Sequence, residues 1–172
     1  MASRLVKGPF SIKWGENPIL DVSDLTFNYD VATNDYETIQ GTTYTVDGAI
    51  TASVELTLLK SDVEALRAIF PQYYVEKGEK LSTGETVKSD NGAIDIVAAS
   101  CDTTSTNYNL DIISCAGDIT RLVNAKTSLS GMEIADNSLR TVTITFRGEP
   151  GLDENGKTIG IVQFLDAVEA QP

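Results

Sequence analysis

The sequence predicts a mainly β fold, a β-sandwich or barrel with one short flanking α-helix. Apolar and polar residues alternate from Tyr44 to Leu59 and again from Ser138 to Arg147. Such period-two alternation is typical of strands that have one buried and one wet face. A third segment, residues 61–70, instead spaces its apolar residues as a short amphipathic helix does.

Two strands are predicted near the N-terminus, separated by a turn at residues 15–18. Phe10, Ile12 and Trp14 alternate with polar residues in the first strand, and this alternation predicts that Trp14 lies in the core. The second strand runs from Ile19 to Tyr29. Val22 is out of phase with Leu25, which predicts a β-bulge between them.

The alternation from Tyr44 to Leu59 is the clearest strand signal. At ~3.3 Å per residue it spans about 50 Å, well above the usual strand length. It fits one long strand or two strands joined at Gly48. The polar stretch before it, Asp30 to Thr43, predicts a loop that holds a short candidate strand at Tyr36–Ile39.

The helix is predicted from a capping box, Ser61–Glu64, and ends at Pro71. Its apolar stripe consists of Val63, Leu66, Ile69 and Phe70. Because about nine residues are too few for an isolated helix, we expect it to dock on a sheet.

Shorter apolar segments complete a single predicted domain over residues 1–172, with a tail at residues 166–172. These segments are a hairpin at Gly78–Lys88 and strands at Ala93–Ala99, Leu110–Cys115 and Ile159–Leu165. The total prediction is nine or ten strands and one helix.

Composition excludes several function classes. The chain has 172 residues, 41% of them apolar, a formal net charge of −12 and no histidine. Without histidine, triad hydrolases, imidazole acid–base catalysis and His-ligated metal sites are excluded. Excess negative charge disfavours tight nucleic-acid binding. No apolar run is long enough for a membrane helix, and the N-terminus lacks the apolar region of a secretory signal.

No motif predicts catalysis or a bound cofactor. Asp153–Gly156 resembles part of a calcium loop, but Gly151 and Val162 stand where two principal ligands belong, so a polar turn is predicted. Cys101 and Cys115 lack metal-ligand spacing and are interpreted as reduced thiols. The carboxylates are scattered and the basic residues do not cluster, so we expect no enzyme, no metal and no cofactor.

The chain resembles the major tail tube proteins of tailed bacteriophages, a family related to the tubes of contractile tails and type VI secretion. The resemblance rests on the order of features rather than on one diagnostic motif. These features are GPFSIKWGENPI, Asp21–Leu25, Gly41–Tyr44, GAITASVELTLL followed directly by SDVEALRAIF, Gly78-Glu79, Gly84-Glu85, Asn91–Ile94 and TVTITFRGEP.

The resemblance implies a structural protein of the virion tail, made in the host cytoplasm, whose homohexameric rings stack into a tube. Each subunit of such a tube contributes strands to a ring-spanning inner β-barrel. The implied partners are other copies of the chain, a tape measure protein, tail terminator and tip proteins, and DNA that passes during ejection without specific binding; no membrane is involved.

Two sets of residues follow as hypotheses from the resemblance. The first would line the lumen: Thr45, Asp47, Thr51, Ser53, Glu55, Thr57, Thr141, Thr143 and Thr145. The second would belong to an extended loop, residues 30–43, that reaches the neighbouring ring: Asp30, Asn34, Asp35, Glu37 and Thr42. Arg147 departs from an acidic lining and is placed outside the bore. The alternative interpretation of the first set is ordinary solvated outer surface.

Two alternative functions remain open at this point. An Hcp-like secretion tube subunit would share the fold and transport proteins instead of DNA. A surface- or carbohydrate-binding β-sandwich, such as a capsid decoration domain, would instead show exposed aromatic side chains and a discrete groove.

Overall fold

A computed structural model describes residues 3–98 and 106–167 of the chain. Within these ranges lie ten strands, one α-helix and one short 3-10 helix. In chain order they are β1 (Ser11–Trp14), β2 (Asn17–Ile19), β3 (Val22–Glu37), β4 (Thr43–Leu58), α1 (Val63–Arg67), the 3-10 helix (Pro71–Tyr73), β5 (Tyr74–Val75), β6 (Ala93–Ile94), β7 (Asn107–Ile113), β8 (Ile119–Glu133), β9 (Thr141–Gly148) and β10 (Val162–Leu165). The mainly β fold class predicted from the sequence is confirmed.

Eight strands form one antiparallel sheet in the order β2-β1-β7-β8-β9-β4-β3, with β10 also paired to β8. The long strand β8 changes neighbours along its length. Its first half pairs with β7 on one side and β10 on the other, and its second half pairs with β9. The strands β5 and β6 form a separate small ribbon.

The core lies on one face of this sheet, as the alternation predicts. Trp14 is completely buried, as predicted, and its indole Nε1 donates a hydrogen bond to the Ala125 carbonyl at 3.2 Å. The Trp14 ring packs edge-on against Phe146. The inward side chains of β4 and β9 are Ala52, Val54, Leu56, Leu58, Val142, Ile144 and Phe146. Phe10 does not follow Trp14 inward but is half exposed.

The helix is shorter than predicted and is capped by a different residue. Asp62, not Ser61, is the N-cap, and its carboxylate accepts a hydrogen bond from the Ala65 amide at 3.2 Å. The Ser61 hydroxyl instead donates to the Arg140 carbonyl, which ties the helix to β9. The apolar stripe does dock on the sheet, because Phe70 is buried in the core. Tertiary contact therefore decides which of two competent caps is used.

Other sequence predictions have mixed outcomes. Val22 and Leu25 flank a register shift against β4, so the predicted bulge is confirmed. Asp153 accepts hydrogen bonds from the amides of Asn155 and Lys157, which makes its loop a polar turn. Cys115 is a free, exposed thiol, whereas Cys101 lies outside the described residues. The predicted hairpin at residues 78–88 contains a single bridge between Lys80 and Thr86.

Candidate functional site

Four neighbouring strands, β8, β9, β4 and β3, present a continuous polar face opposite the core. Ser53 lies between Asn28 and Arg147, and the next row places Glu55 between Thr26 and Thr145. We define the polar face as Asp24, Thr26, Asn28, Asp30, Thr51, Ser53, Glu55, Thr57, Lys126, Ser128, Glu133, Thr141, Thr143, Thr145 and Arg147. Hydroxyl groups dominate it, and its charges are mixed.

Seven of the nine predicted lumen residues lie together on this face. They are Thr51, Ser53, Glu55, Thr57, Thr141, Thr143 and Thr145. Arg147, placed outside the bore on sequence grounds, lies on the same face between Ser53 and Lys126. The two cations therefore form a short basic row at one end of an otherwise hydroxyl-rich and acidic surface.

Thr45 and Asp47 lie on the opposite side of the sheet from the polar face. A register shift between the pairs Val31–Ile50 and Thr33–Asp47 places one extra β4 residue opposite β3. Because β3 keeps its own alternation, Asp47 falls on the same side as Ile50. Residues that alternate in the sequence as one face of a strand therefore lie on two different sides of the sheet, before and after the bulge.

Gly48 occupies this bulge for a steric reason. A Cβ atom at Gly48 would lie 3.2 Å from the Ala32 carbonyl oxygen, closer than most side-chain contacts. The same Cβ would also lie 3.5 Å from the Asn34 side chain, so Gly48 is on the same side of the sheet as the polar face. A single glycine therefore allows the close approach of the two strands.

The hairpin formed by β3 and β4 extends beyond the rest of the sheet, because the pairing of β4 with β9 covers only Ser53–Leu58. We call residues 30–51 of this hairpin the arm. The predicted loop at residues 30–43 is thus wrong, since residues 30–37 belong to β3 and only residues 38–42 turn. The five predicted inter-ring residues all lie in the arm: Asp30, Asn34, Asp35, Glu37 and Thr42.

The tip of the arm is a hydrogen-bonded turn with an apolar residue at its apex. The Thr38 amide donates to the Thr42 carbonyl at 2.8 Å, and the Gly41 amide donates to the Thr38 carbonyl at 2.9 Å. Ile39 is fully exposed at this apex. Tyr36 and Tyr44 pair across the two strands and are also exposed. The arm therefore presents apolar side chains to solvent on a hydrogen-bonded hairpin.

The arm is also acidic, with four carboxylates and no lysine or arginine: Asp30, Asp35, Glu37 and Asp47. The Thr45 hydroxyl donates to the Asp35 carboxylate at 2.7 Å across the strand pair. A two-stranded hairpin without further packing is only marginally stable in water. An arm that is exposed on both faces is therefore typical of a segment that binds another protein surface.

The four-stranded unit has two open edges within the described ranges. The outer edge of β3 has no strand neighbour, and β8 beyond Lys126 has a neighbour only on its β9 side. Because every pairing is antiparallel and the strands number four, β3 and β8 run in opposite directions. Unpaired edges readily accept another strand.

The accessible surface is large for the mass of the chain. The chain exposes 11925 Å², and its mass is 18.5 kDa. A compact monomer of that mass exposes about 8,200 Å², so about 3,700 Å² is in excess. Part of this excess comes from the arm, in which every residue of β4 from Thr43 to Thr51 is exposed.

The N-terminal segment forms ion pairs with the turn between β7 and β8 and with the residue after β10. The Arg4 guanidinium bonds the carboxylate of Asp118 and lies 3.5 Å from that of Asp166. This hydrogen bond lowers the pKa of Asp118 below its ordinary value. A more buried pair, Arg121 with Asp111 at 2.7 Å, joins β8 to β7, and that bond raises the pKa of Arg121.

No helix among the described residues is long and apolar enough to cross a membrane.

Comparisons with known proteins give low-identity structural matches. No protein-family model and no curated protein matches the chain. The chain is similar to a sheath/tube terminator of an extracellular contractile injection system, PVC (11% identity, 94% of this chain and 98% of that chain, TM-score 0.49). It is also similar to a chain in the tail of an empty GTA particle (12%, 91% and 94%, 0.48) and to the tube-terminating cap of the anti-feeding prophage (10%, 95% and 94%, 0.46).

Proposed function

We propose that this chain is a non-enzymatic tail tube subunit, whose copies close into hexameric rings that stack around a DNA channel. One observation carries the proposal: a four-stranded unit has a polar face and two open edges that run in opposite directions. Copies related by rotation can then continue one antiparallel sheet, because β3 of one copy meets β8 of the next in the antiparallel sense. Ring closure would remove both edges.

The dimensions suit duplex DNA. Six copies of four strands, spaced ~4.8 Å and tilted ~40°, give a barrel about 48 Å in backbone diameter. Side chains reduce the inner diameter to about 38 Å. Duplex DNA is about 20 Å across, so it leaves space for water and ions around it.

The chemistry of the polar face suits passage rather than binding. Phosphate contacts with lysine and arginine release counterions and hold DNA, whereas hydroxyl and carboxylate groups do not. Seven hydroxyl or acidic residues of the predicted lumen set share the face, and Glu55 lies near its centre. The basic row of Lys126 and Arg147 would form one narrow band at the end nearest the arm.

The arm would supply the contact between rings. It leaves the sheet along the strand direction and carries exposed tyrosines and Ile39 at its end. A strand of 16 residues such as β3 is about 50 Å long and projects about 40 Å along an axis from which it is tilted ~40°. We therefore expect a ring-to-ring repeat of about 40 Å or less. The virion tail as location, and the tape measure, terminator and tip proteins as partners, belong to the same proposal.

Electron microscopy of the purified protein at high concentration tests the proposal. We expect six-fold rings or tubes with the repeat given above. In a background with Cys101→Ser and Cys115→Ser, Thr143→Cys should react with a bulky maleimide in the monomer and become protected in the tube, because the proposal has Thr143 facing the lumen. A protein that stays monomeric even when seeded with preformed tubes, or a Thr143→Cys that stays fully reactive in tubes, would contradict the proposal.

The secretion-tube and surface-binding alternatives make different predictions. An Hcp-like tube would form the same rings but release no DNA from a particle. The structure has the two features expected of a surface- or carbohydrate-binding domain, namely exposed aromatic side chains and a groove, which Phe10 and Phe164 line. That alternative predicts glycan binding by the isolated chain, whereas the tube proposal predicts assembly. Binding to a glycan array without assembly would favour that alternative.

A further inference from the structure

A groove remains where the curled sheet fails to close on itself. It lies between the start of β3 on one side and β1, β7 and β10 on the other, and its volume is about 670 Å³. Its walls are Phe10, Ile12, Val22, Ser23, Asp24, Leu25, Phe27, Ile112, Thr120 and Phe164. Phe164 is 80% exposed and Phe10 is 53% exposed, so two phenylalanine rings face solvent here. We call this feature the seam groove.

The open edge of β8 carries two apolar side chains on the matching side. Leu129 pairs with Ile144, and Met132 pairs with Val142. Both β9 partners point into the core, so Leu129 and Met132 point to the same side of the sheet. Yet they are 40% and 48% exposed, because no described strand lies beyond this part of β8.

We infer that the seam groove of one copy is filled by Leu129 and Met132 of the neighbouring copy, a contact that rests on the proposed function. When β8 of one copy meets the β3 edge of the next, both polar faces lie on the lumen side. Leu129 and Met132 then lie on the side of Leu25 and Phe27, which line the groove. The neighbour would thus complete the hydrophobic core that the single chain leaves open.

Three observations favour a second copy over a small molecule as the occupant. The groove lies directly beside the edge that needs a strand partner. Its lining is mostly apolar, with only Ser23, Asp24 and Thr120 as polar residues, and so matches the apolar side chains of Leu129 and Met132. The unpaired edge of β8 carries two exposed apolar side chains, Leu129 and Met132, on the side of the sheet that the groove needs.

Cysteine pairs test the contact directly, in a background with Cys101→Ser and Cys115→Ser. Copies in a tilted barrel are staggered by a few residues, so Phe27→Cys is combined in turn with Leu129→Cys and with Met132→Cys. We expect at least one pair to form intermolecular disulfides on oxidation, giving a ladder of covalent oligomers on a non-reducing gel. Thr26→Cys with Met132→Cys is the matched control. Thr26 points to the polar face, so its Cβ is directed away from Met132 of the neighbouring copy and no disulfide is expected.

The outcomes separate this contact from the ring itself. Rings without any of these cross-links would overturn the groove contact and leave the ring standing. Cross-links without six-fold rings would support the contact and overturn the hexamer. Absence of both would overturn both.

A charge substitution gives a second, independent readout. Met132→Glu should raise the protein concentration needed for assembly roughly 10-fold or more, because the carboxylate would enter an apolar groove. Ser128→Glu on the same edge should assemble nearly normally, since Ser128 faces the polar side. Circular dichroism checks that both variants stay folded, as expected for exposed positions. Normal assembly of Met132→Glu would overturn the contact.

Discussion

The two halves of β4 have the same local sequence pattern and opposite fates. From Ala52 to Leu58 every second side chain is buried, whereas from Thr43 to Thr51 every side chain is exposed. The difference is the third strand, because β9 pairs only with the second half. Alternation therefore indicates that a segment is a strand, but the neighbouring strand decides whether its apolar side is covered. The covered half stabilises the monomer, and the exposed half is available to a partner.

Removing the exposed half should have the largest effect. Replacing residues 31–50 with Asn-Gly would close Asp30 to Thr51 with a two-residue hairpin turn. We expect complete loss of tube assembly, while the free energy of unfolding stays within about 1 kcal/mol of the parent. Microscopy and urea unfolding measure the two effects. Tubes formed by the armless chain would remove the arm from the stacking contact.

Single truncations in each half should differ severalfold in stability. Leu56→Ala removes a fully buried side chain and should cost about 2–5 kcal/mol. Val46→Ala, in the exposed half, should change monomer stability by about 0.5 kcal/mol or less. Chemical denaturation of the two variants at one temperature makes the comparison. Equal losses would mean that the arm packs against the body of the monomer.

Charge reversal compares the two sides of β4. Glu55→Lys places six new cations per ring in the proposed lumen and should slow DNA release, most strongly at low salt. Asp47→Lys makes the same change from a negative to a positive charge on the opposite side of the sheet. It should leave the rate of DNA release near normal. Fluorescent-dye assays of DNA release from assembled particles measure both rates. An equal effect of the two substitutions would contradict the assignment of the polar face to the lumen.

The smallest expected effect concerns the N-terminal segment. Arg4 lowers the pKa of Asp118, so their contact is fully present above the ordinary carboxyl pKa of 3.8 and is lost as pH falls through the lower folded-state pKa. The Cys115 amide donates a hydrogen bond to the Lys7 carbonyl, so its protection factor, which corrects for the intrinsic pH dependence of amide exchange, should be larger near neutral pH than in acid. Arg4→Gln should abolish this pH dependence and serves as the control. Unchanged exchange in Arg4→Gln would show that charge does not hold the segment.

Local signals in the sequence predicted many of the strands and the first bulge, but they predicted neither the partners of the strands nor β8, the 15-residue strand Ile119–Glu133. The phase slip between Val22 and Leu25 is visible in the sequence because both residues are apolar. The slip at Gly48 is hidden, because it appears only when β4 is aligned with β3. Polar residues made the arm resemble a loop, although pairing with β4 holds residues 30–37 as a strand.

The sequence pattern did not predict the seam groove either. Phe10 alternates with Trp14 and so has the pattern of a core residue, yet the sheet curls without closing over it. Whether a sheet closes depends on the order and curvature of strands that are distant in the chain, such as β3 and β10. Local alternation carries no information about that order.

The arm leaves the sheet from one end only. If the arm of one ring docks on the body of the next ring, as proposed, all copies point the same way and the two ends of the tube are unlike. Under that proposal, elongation proceeds by docking at one end, and a factor that covers this end alone is enough to set the final length.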